Sequence, residues 1–361
     1  MKVSIGSRIV DGPWGGGNLF VKNLSNFLID LGHQVIYDLA EPDIDLILLT
    51  DPRSRRESSS TFNHLEIELY KKYVNSNVCV VQRINECDER KNTSNINKFY
   101  LEASECADKV VFVSSWLKGI YIDNGMSKEK SVVIMSGSDS KIFKDYKNNS
   151  SDNEIKVVTH HWSSHKNKGF ETYEFLDKMI DNPTWKGRLK FSYIGNSSDE
   201  YELKNTNKIP PLSGEELALK LSENDIYLTA SINEPSGNHH IEAALCGLPI
   251  LYLNSGGIPE YCKGFGVSFD NLDEFEERLI EIIDKKEQIK NSLADYPFNA
   301  ENMNKEYLEL FFELMQQKQD SNRAKNSLQK KYFLFRFKIR KITQKFLQVN
   351  FKSVIKKLLK I

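Results

Sequence analysis

Short, nearly continuous runs of apolar and β-branched residues recur along the chain, separated by segments of helical length. They are KVSI at 2–5, DLILLT at 45–50, VCVVQ at 78–82, KVVFV at 109–113 and SVVIM at 131–135. Strands of this kind alternating with helices predict a parallel sheet covered on both faces. At DYKNNSSDNE, 145–154, the pattern turns polar and small, then resumes with IKVVT at 155–159, LKFSYI at 189–194, DIYLT at 225–229 and PILYL at 249–253. The polar stretch reads as a linker. The chain is therefore expected to fold as two α/β domains, 1–150 and 151–320, facing each other across a cleft at the carboxyl ends of both sets of strands. A helix over 300–318 is expected to close the second domain, and residues 321–361 form a separate tail.

In that tail Phe335, Ile339, Ile342, Phe346 and Val349 follow helical spacing, and Leu347, Phe351, Val354, Leu358 and Ile361 repeat it on an adjacent stripe. Charge sharpens the picture. Residues 323–361 hold 13 of the 49 Lys and Arg and no acid, leaving 36 bases against 50 acids in the body. A basic amphipathic helix predicts contact with an anionic membrane surface through residues 330–361, the other reading being a helix folded back on the acidic body or on a partner protein. No stretch approaches the roughly 18 apolar residues of a membrane span, and no apolar run of signal-peptide length opens the chain. The expected location is cytoplasmic, peripheral on the inner face of the cell membrane. Five scattered cysteines without a C-x-x-C pair point to reduced thiols, and three histidines at 160, 161 and 165 lack the companions of a zinc site. No metal and no cofactor is expected. An acidic body without a nucleic-acid motif argues against a nucleic-acid partner.

The candidate chemistry gathers in SINEPSGNHHIEAALCGLPILYLNSGGIPEYC, 231–262. A strand, a loop and a helix start fit this stretch, with Asn238 as N-cap and Gly247 as stop. Glu234 then projects from the loop, and Glu242 falls in the first helical turn, where the helix dipole favours a carboxylate. Ser236, Gly237 and Asn238 leave backbone N–H groups open at a helix N-terminus, which suits an anion. An anion flanked by carboxylates that accept hydroxyl hydrogen bonds describes a sugar nucleotide. Alone, the same spacing also fits a solvated loop and a salt-bridged glutamate.

This segment resembles the E-x7-E signature of retaining GT-B-fold glycosyltransferases of the family 4, or group 1, type, followed by their SGGIPE loop, here 255–260. The similarity spans most of residues 1–315. It implies the GT-B fold, two Rossmann-like domains across a cleft, the first on the acceptor side and the second binding the nucleotide sugar. It assigns Glu234 to the donor sugar hydroxyls and Glu242 to the ribose hydroxyls, and brings the Gly256–Gly257 backbone near the donor. GPWGGGNLFVKNLSNFLIDLGHQV, 12–35, is similar to the family's glycine-rich first loop, a helix ending in Gly32-His33 and the second strand; Gly15, Gly16 and Gly17 allow backbone N–H groups to approach phosphate or acceptor, although without the resemblance a flexible turn explains them better. VVTHHWSSHKNKGFETYEFLD, 157–177, is similar to the phosphate-binding strand, loop and helix, with Lys168 in the family's lysine position. Ser163 stands where the family's arginine falls, so Lys166 or Arg83 is the expected substitute. IMSGSDSKIF, 134–143, resembles the family's interdomain turn, and Ser114 or Ser115 in FVSSWLKG is expected to cap a helix or touch substrate.

Where the family often places a histidine against the donor sugar, VVQRINECDERKNT, 80–93, offers Arg83, Asn85 and Glu86, and the following Asp88, Glu89, Arg90 and Lys91 read mainly as solvated surface. Asp43-Ile44-Asp45 mimics a metal-binding D-x-D but precedes a strand and reads as structural. The expected activity is metal-independent, retaining transfer of a sugar from a nucleotide-diphosphate sugar to the hydroxyl of a saccharide or lipid-linked saccharide acceptor, in surface polysaccharide or glycolipid synthesis. Glu234, Lys168, Arg83 and Asn85 are the catalytic candidates. A catalytically weak or inactive nucleotide-sugar-binding regulator of the same fold is the alternative.

Overall fold

Each apolar run becomes a strand, and the strands assemble into two separate sheets. The computed structural model describes residues 1–10, 15–53, 59–146, 154–197, 200–318 and 330–342. The first sheet holds β1 (Lys2–Ile5), β2 (Gln34–Ile36), β3 (Leu46–Leu49), β4 (Cys79–Ile84), β5 (Lys109–Phe112) and β6 (Ser131–Val133), in the order β2-β1-β3-β4-β5-β6. The second holds β7 (Ile155–His161), β8 (Leu189–Gly195), β9 (Asn207–Ile209), β10 (Ile226–Thr229), β11 (Ile250–Leu253) and β12 (Gly266–Phe269), in the order β12-β11-β10-β7-β8-β9. Every pairing is parallel. The expected boundary near residue 150 lies outside the described residues.

Strand order decides where a ligand can enter. In the second sheet the connections reverse direction between β7 and β10, paired with Ile226 opposite Val157. Helices diverge to opposite faces at such a point and leave a crevice beyond the strand carboxyl ends. The loops leaving β7 and β10 carry Ser163 to Lys168 and Glu234 to Asn238, so both candidate segments open into that crevice.

The first sheet is buried on both faces. On one, Val3, Ile5, Phe20 and Leu24 pack with Met303, Tyr307, Leu310, Phe311 and Leu314. Those last five belong to the helix Ala300–Lys318, whose final lysine pairs with Asp108 at 2.6 Å. This corrects the expectation for 300–318: the helix forms there, but its apolar face closes the first domain. The chain thus crosses between domains twice, and the crossings touch where Ala300 N–H donates to Ser138 O at 2.8 Å. A Cβ on Gly137 would collide with the Asn299 backbone, so the close crossing needs glycine there.

The opposite face of the first sheet receives the described part of the tail. Residues 330–342 are helical, Phe337 is buried beside Tyr70, and Phe333 stacks on Tyr73 with ring centroids 4.4 Å apart. Arg340 pairs with Glu66, and Lys341 with Asp38 at 3.1 Å. For these residues one face of the helix folds back on the acidic body, while Tyr332, Phe335, Ile339 and Ile342 are 61%, 62%, 47% and 58% exposed. Phe346 to Ile361, the rest of the two stripes, lie outside the described residues. Asp43 and Asp45 bind Lys2, through its ammonium and its backbone N–H, and join the amino end of the chain to β3 as the structural reading expected.

Candidate active site

Both glutamates of the E-x7-E segment are buried at the mouth of the crevice. Glu234 leaves β10 on a tight loop in which Asn233 has φ 51° and Gly237 φ 86°. Gly256 and Gly257 hold this loop from beneath: Gly257 N–H donates to Glu234 O at 2.9 Å, and a Cβ on Gly256 would lie 2.6 Å from the same oxygen. The two glycines thus position Glu234. The helix Asn238–Leu245 begins after Gly237, which is its N-cap, so Asn238 is already helical and Glu242 lies one residue deeper than expected, just past the first turn. There its Oε2 lies 2.9 Å from His160 Nε2. A carboxylate accepts, so Nε2 carries the hydrogen. Gly247, with φ 79°, ends the helix as foreseen.

Glu234 has a cation on each oxygen. Lys168 Nζ lies 2.5 Å from Oε2, and Arg90 of the first domain lies 3.0 Å from Oε1. Burial alone would raise the carboxyl, but Arg90 and Lys168 outweigh it and hold Glu234 well below the usual carboxylate range. Lys168 comes from a short helical turn, Lys166–Lys168, capped by Gly169 at φ 89°. A side chain at Gly169 would strike Ala230, which sets how closely this turn approaches β10.

Beneath the glutamates lies a buried group of aromatic rings. His239 stacks edge-on to both His161 and His240, at 4.8 and 4.9 Å between centroids. Thr229 meets His239 Nε2 at 2.9 Å, and Tyr173 meets His161 Nε2 at 2.6 Å. Burial pushes all three imidazoles down, His240 to about 3, so they are neutral at physiological pH. His240 has neither nitrogen partnered among the described residues. No group of three His, Cys, Asp or Glu side chains there is placed to hold a metal ion.

The first domain meets this site with three of its own segments. The helix Gly15–Asp30 starts at the cleft, and a Cβ on Gly16 would come within 3.0 Å of Asn238 Oδ1. Ser114 caps the helix Ser115–Asp123 by accepting from Leu117 N–H at 3.2 Å. Its next two donors, Ser115 and Trp116 N–H, reach Glu260 across the domain boundary at 2.8 and 2.7 Å. Ser136 Oγ donates to Ser236 Oγ at 3.2 Å.

The remaining candidates are not drawn together. Arg83 is buried with its guanidinium 4.2 Å above the Phe20 ring and lies beside Tyr307, in the packing between helix and sheet. Asn85 is half-buried at the end of β4. Ser163 and Lys166 are exposed on the loop after β7, Ser163 accepting from His165 N–H at 3.2 Å. Neither Arg83 nor Lys166 takes the place opposite Glu234; Arg90 does, from the run read mainly as surface.

Residues 188–296 match the family model for glycosyl transferases group 1. No curated protein matches the chain. Solved structures resemble it over nearly their whole length. Sucrose-phosphate synthase from Thermosynechococcus elongatus is 16% identical, with a TM-score of 0.64 over 88% of this chain and 99% of that one. A glycosyltransferase from Rickettsia africae is 16% identical, with a TM-score of 0.63 over 87% and 98%. Anabaena HepE in complex with UDP-glucose is 16% identical, with a TM-score of 0.63 over 86% and 99%. The chain therefore has the GT-B fold, and its resemblance to the glycosyl transferases group 1 family lies in residues 188–296.

Proposed function

We propose that this protein transfers a sugar from a nucleotide-diphosphate sugar to an acceptor hydroxyl, with retention of configuration and without a metal. The observation that carries the reading is the pair of buried carboxylates, Glu234 clasped by Lys168 and Glu242 set on His160, within the matched domain at a strand-order reversal. Glu242 is the acceptor for the ribose hydroxyls and Glu234 for those of the donor sugar. Leaving-group departure places negative charge on a diphosphate, and fixed cations with open N–H groups lower that barrier. Lys168 and the start of the helix Asn238–Leu245 supply them here. HepE, alike in fold, is solved with UDP-glucose, which makes UDP-sugars the first donors to test.

The acceptor we propose is a saccharide or lipid-linked saccharide of surface polysaccharide or glycolipid synthesis, met at the cytoplasmic face of a membrane. The exposed apolar side of residues 330–342, edged by Arg336 and Lys338, supports that placement. No helix of the described residues is long and apolar enough to cross a bilayer.

The deciding experiment is nucleotide release from a panel of nucleotide sugars with and without chelator. Release undiminished by chelator is the expected result. Binding without release from any donor, with or without a simple sugar acceptor, would instead make the chain a nucleotide-sugar-binding regulator; loss restored by Mg²⁺ or Mn²⁺ would overturn metal independence.

A further inference from the structure

Arg90 reaches the donor site from the opposite domain on a loop that internal bonds make rigid. The turn Asp88–Lys91 follows β4, and the Asp88 carboxylate accepts from Thr93 Oγ1 at 2.6 Å, Ile96 N–H at 2.9 Å and Asn97 N–H at 3.0 Å. Asn97 Oδ1 in turn accepts the Asp88 N–H at 2.9 Å. Two side chains of the second domain grip the same turn. Asn167 Nδ2 donates to Arg90 O at 2.7 Å, and Asn233 Nδ2 donates to Glu89 O at 3.1 Å. These asparagines immediately precede Lys168 and Glu234. The contacts that dock the turn are therefore built into the segments that carry the site.

Arg90 and Lys91 pair with Glu86, within 3.3 and 3.0 Å, and Arg90 and Lys168 meet at Glu234 beside the start of the helix Asn238–Leu245. Asp88 and Glu89 of the same turn are engaged by Thr93, main-chain N–H groups and the Asn97 amide. Each oxygen of Glu234 keeps a lone pair for a sugar hydroxyl while Arg90 and Lys168 stay in place. Lys168 shares a domain with Glu234; Arg90 comes from the other, with its side chain 26% exposed.

We propose that Arg90 is a catalytic residue acting across the domain interface: from its place on Glu234, beside Lys168, it gives the donor's diphosphate a second cation for the leaving group. This rests on the donor reading above and adds the group that answers for Ser163. The full-length wild type, Arg90→Ala and Arg90→Lys would be titrated calorimetrically with UDP, GDP, ADP and dTDP, and with the nucleoside of whichever binds tightest. Arg90→Ala should bind that diphosphate about 10- to 100-fold more weakly, the loss of a charge-assisted bond, while nucleoside affinity stays within about twofold. Arg90→Lys should recover part of the loss. Unchanged diphosphate affinity in Arg90→Ala overturns the proposal alone, as does an equal loss for the nucleoside, which would mark a damaged fold. A wild type that binds no diphosphate overturns the donor reading and this proposal with it.

Discussion

Glu234 and Glu242 sit eight residues apart in sequence and have different neighbours, Arg90 and Lys168 for the first and His160 for the second. Lys168→Ala should lower turnover by about 10²-fold, because a cation at the leaving group is lost, with a smaller effect on nucleotide affinity. Glu242→Ala should do the reverse, weakening nucleoside diphosphate binding by about 1.5–3 kcal/mol while also leaving His160 Nε2 without its partner. Steady-state kinetics and calorimetry on both variants check the division, and equal effects on both quantities would contradict it. His240 offers a separate test. Its folded pKa of about 3 lies below the unfolded value near 6.5, so the unfolded chain binds the extra proton between those values and stability falls with pH there. At pH 5.5 the cost is on the order of 1 kcal/mol for this one group. His240→Leu keeps the volume, removes two unpartnered nitrogens and should gain in melting temperature over the wild type as pH drops from 7.5 to 5.5. A constant gap across that range would rule out the titration. The glutamates and Lys168 were picked out because the segment of each resembles a stretch of the family's signature, and the structure brings Lys168 onto Glu234. Arg90 was not, since the partner that makes it more than a surface charge lies 144 positions away on another domain.

At the scale of elements, most strands were readable from their apolar runs, while β2 and β9, three residues each with none buried, and β12 carry no such run. The helix Ala300–Lys318 shows the limit of an amphipathic pattern. Its stripe declares that one face is buried but not which sheet buries it, and the answer came from a second domain crossing that leaves no periodic trace. Glu260 shows the same limit at a helix end. SGGIPE was recognised as a loop, yet its glutamate satisfies the first donors of a helix in the other domain. An N-terminal carboxylate offsets both orphan N–H groups and the positive end of the dipole. Glu260→Ala should therefore cost about 1–2 kcal/mol and loosen the cleft as well, since the bond it removes spans the domains. A lower melting temperature together with a larger radius of gyration in solution scattering is the expected result. A stability loss without expansion would confine Glu260 to capping.

For the whole molecule, the charge division between body and tail is resolved in two directions. Helix 330–342 turns Phe333 and Phe337 inward on Tyr73 and Tyr70, and its bases Arg340 and Lys341 find Glu66 and Asp38 on the acidic body. Composition announced both the bases and their acidic counterpart, but the stripes read from helical spacing begin at Phe335 and pass over Phe333 and Phe337, the residues that dock. Ending the chain at residue 322 should leave it folded but lower its melting temperature, as burial of one phenylalanine alone contributes about 1.5–3 kcal/mol. The outward stripe makes a different prediction. Phe335 and Ile342 contribute little to the body, being more than half exposed, so Phe335→Ser with Ile342→Ser should melt with the wild type. If that stripe lies in a membrane surface, the double variant should nonetheless sediment less with anionic liposomes, because apolar insertion and lysine attraction act together there. The full chain should sediment at low salt and much less at high salt, and the chain ended at 322 should remain in solution under both. Equal sedimentation of all three forms would sink the membrane role, and a double variant that melts early would show that the stripe serves the fold.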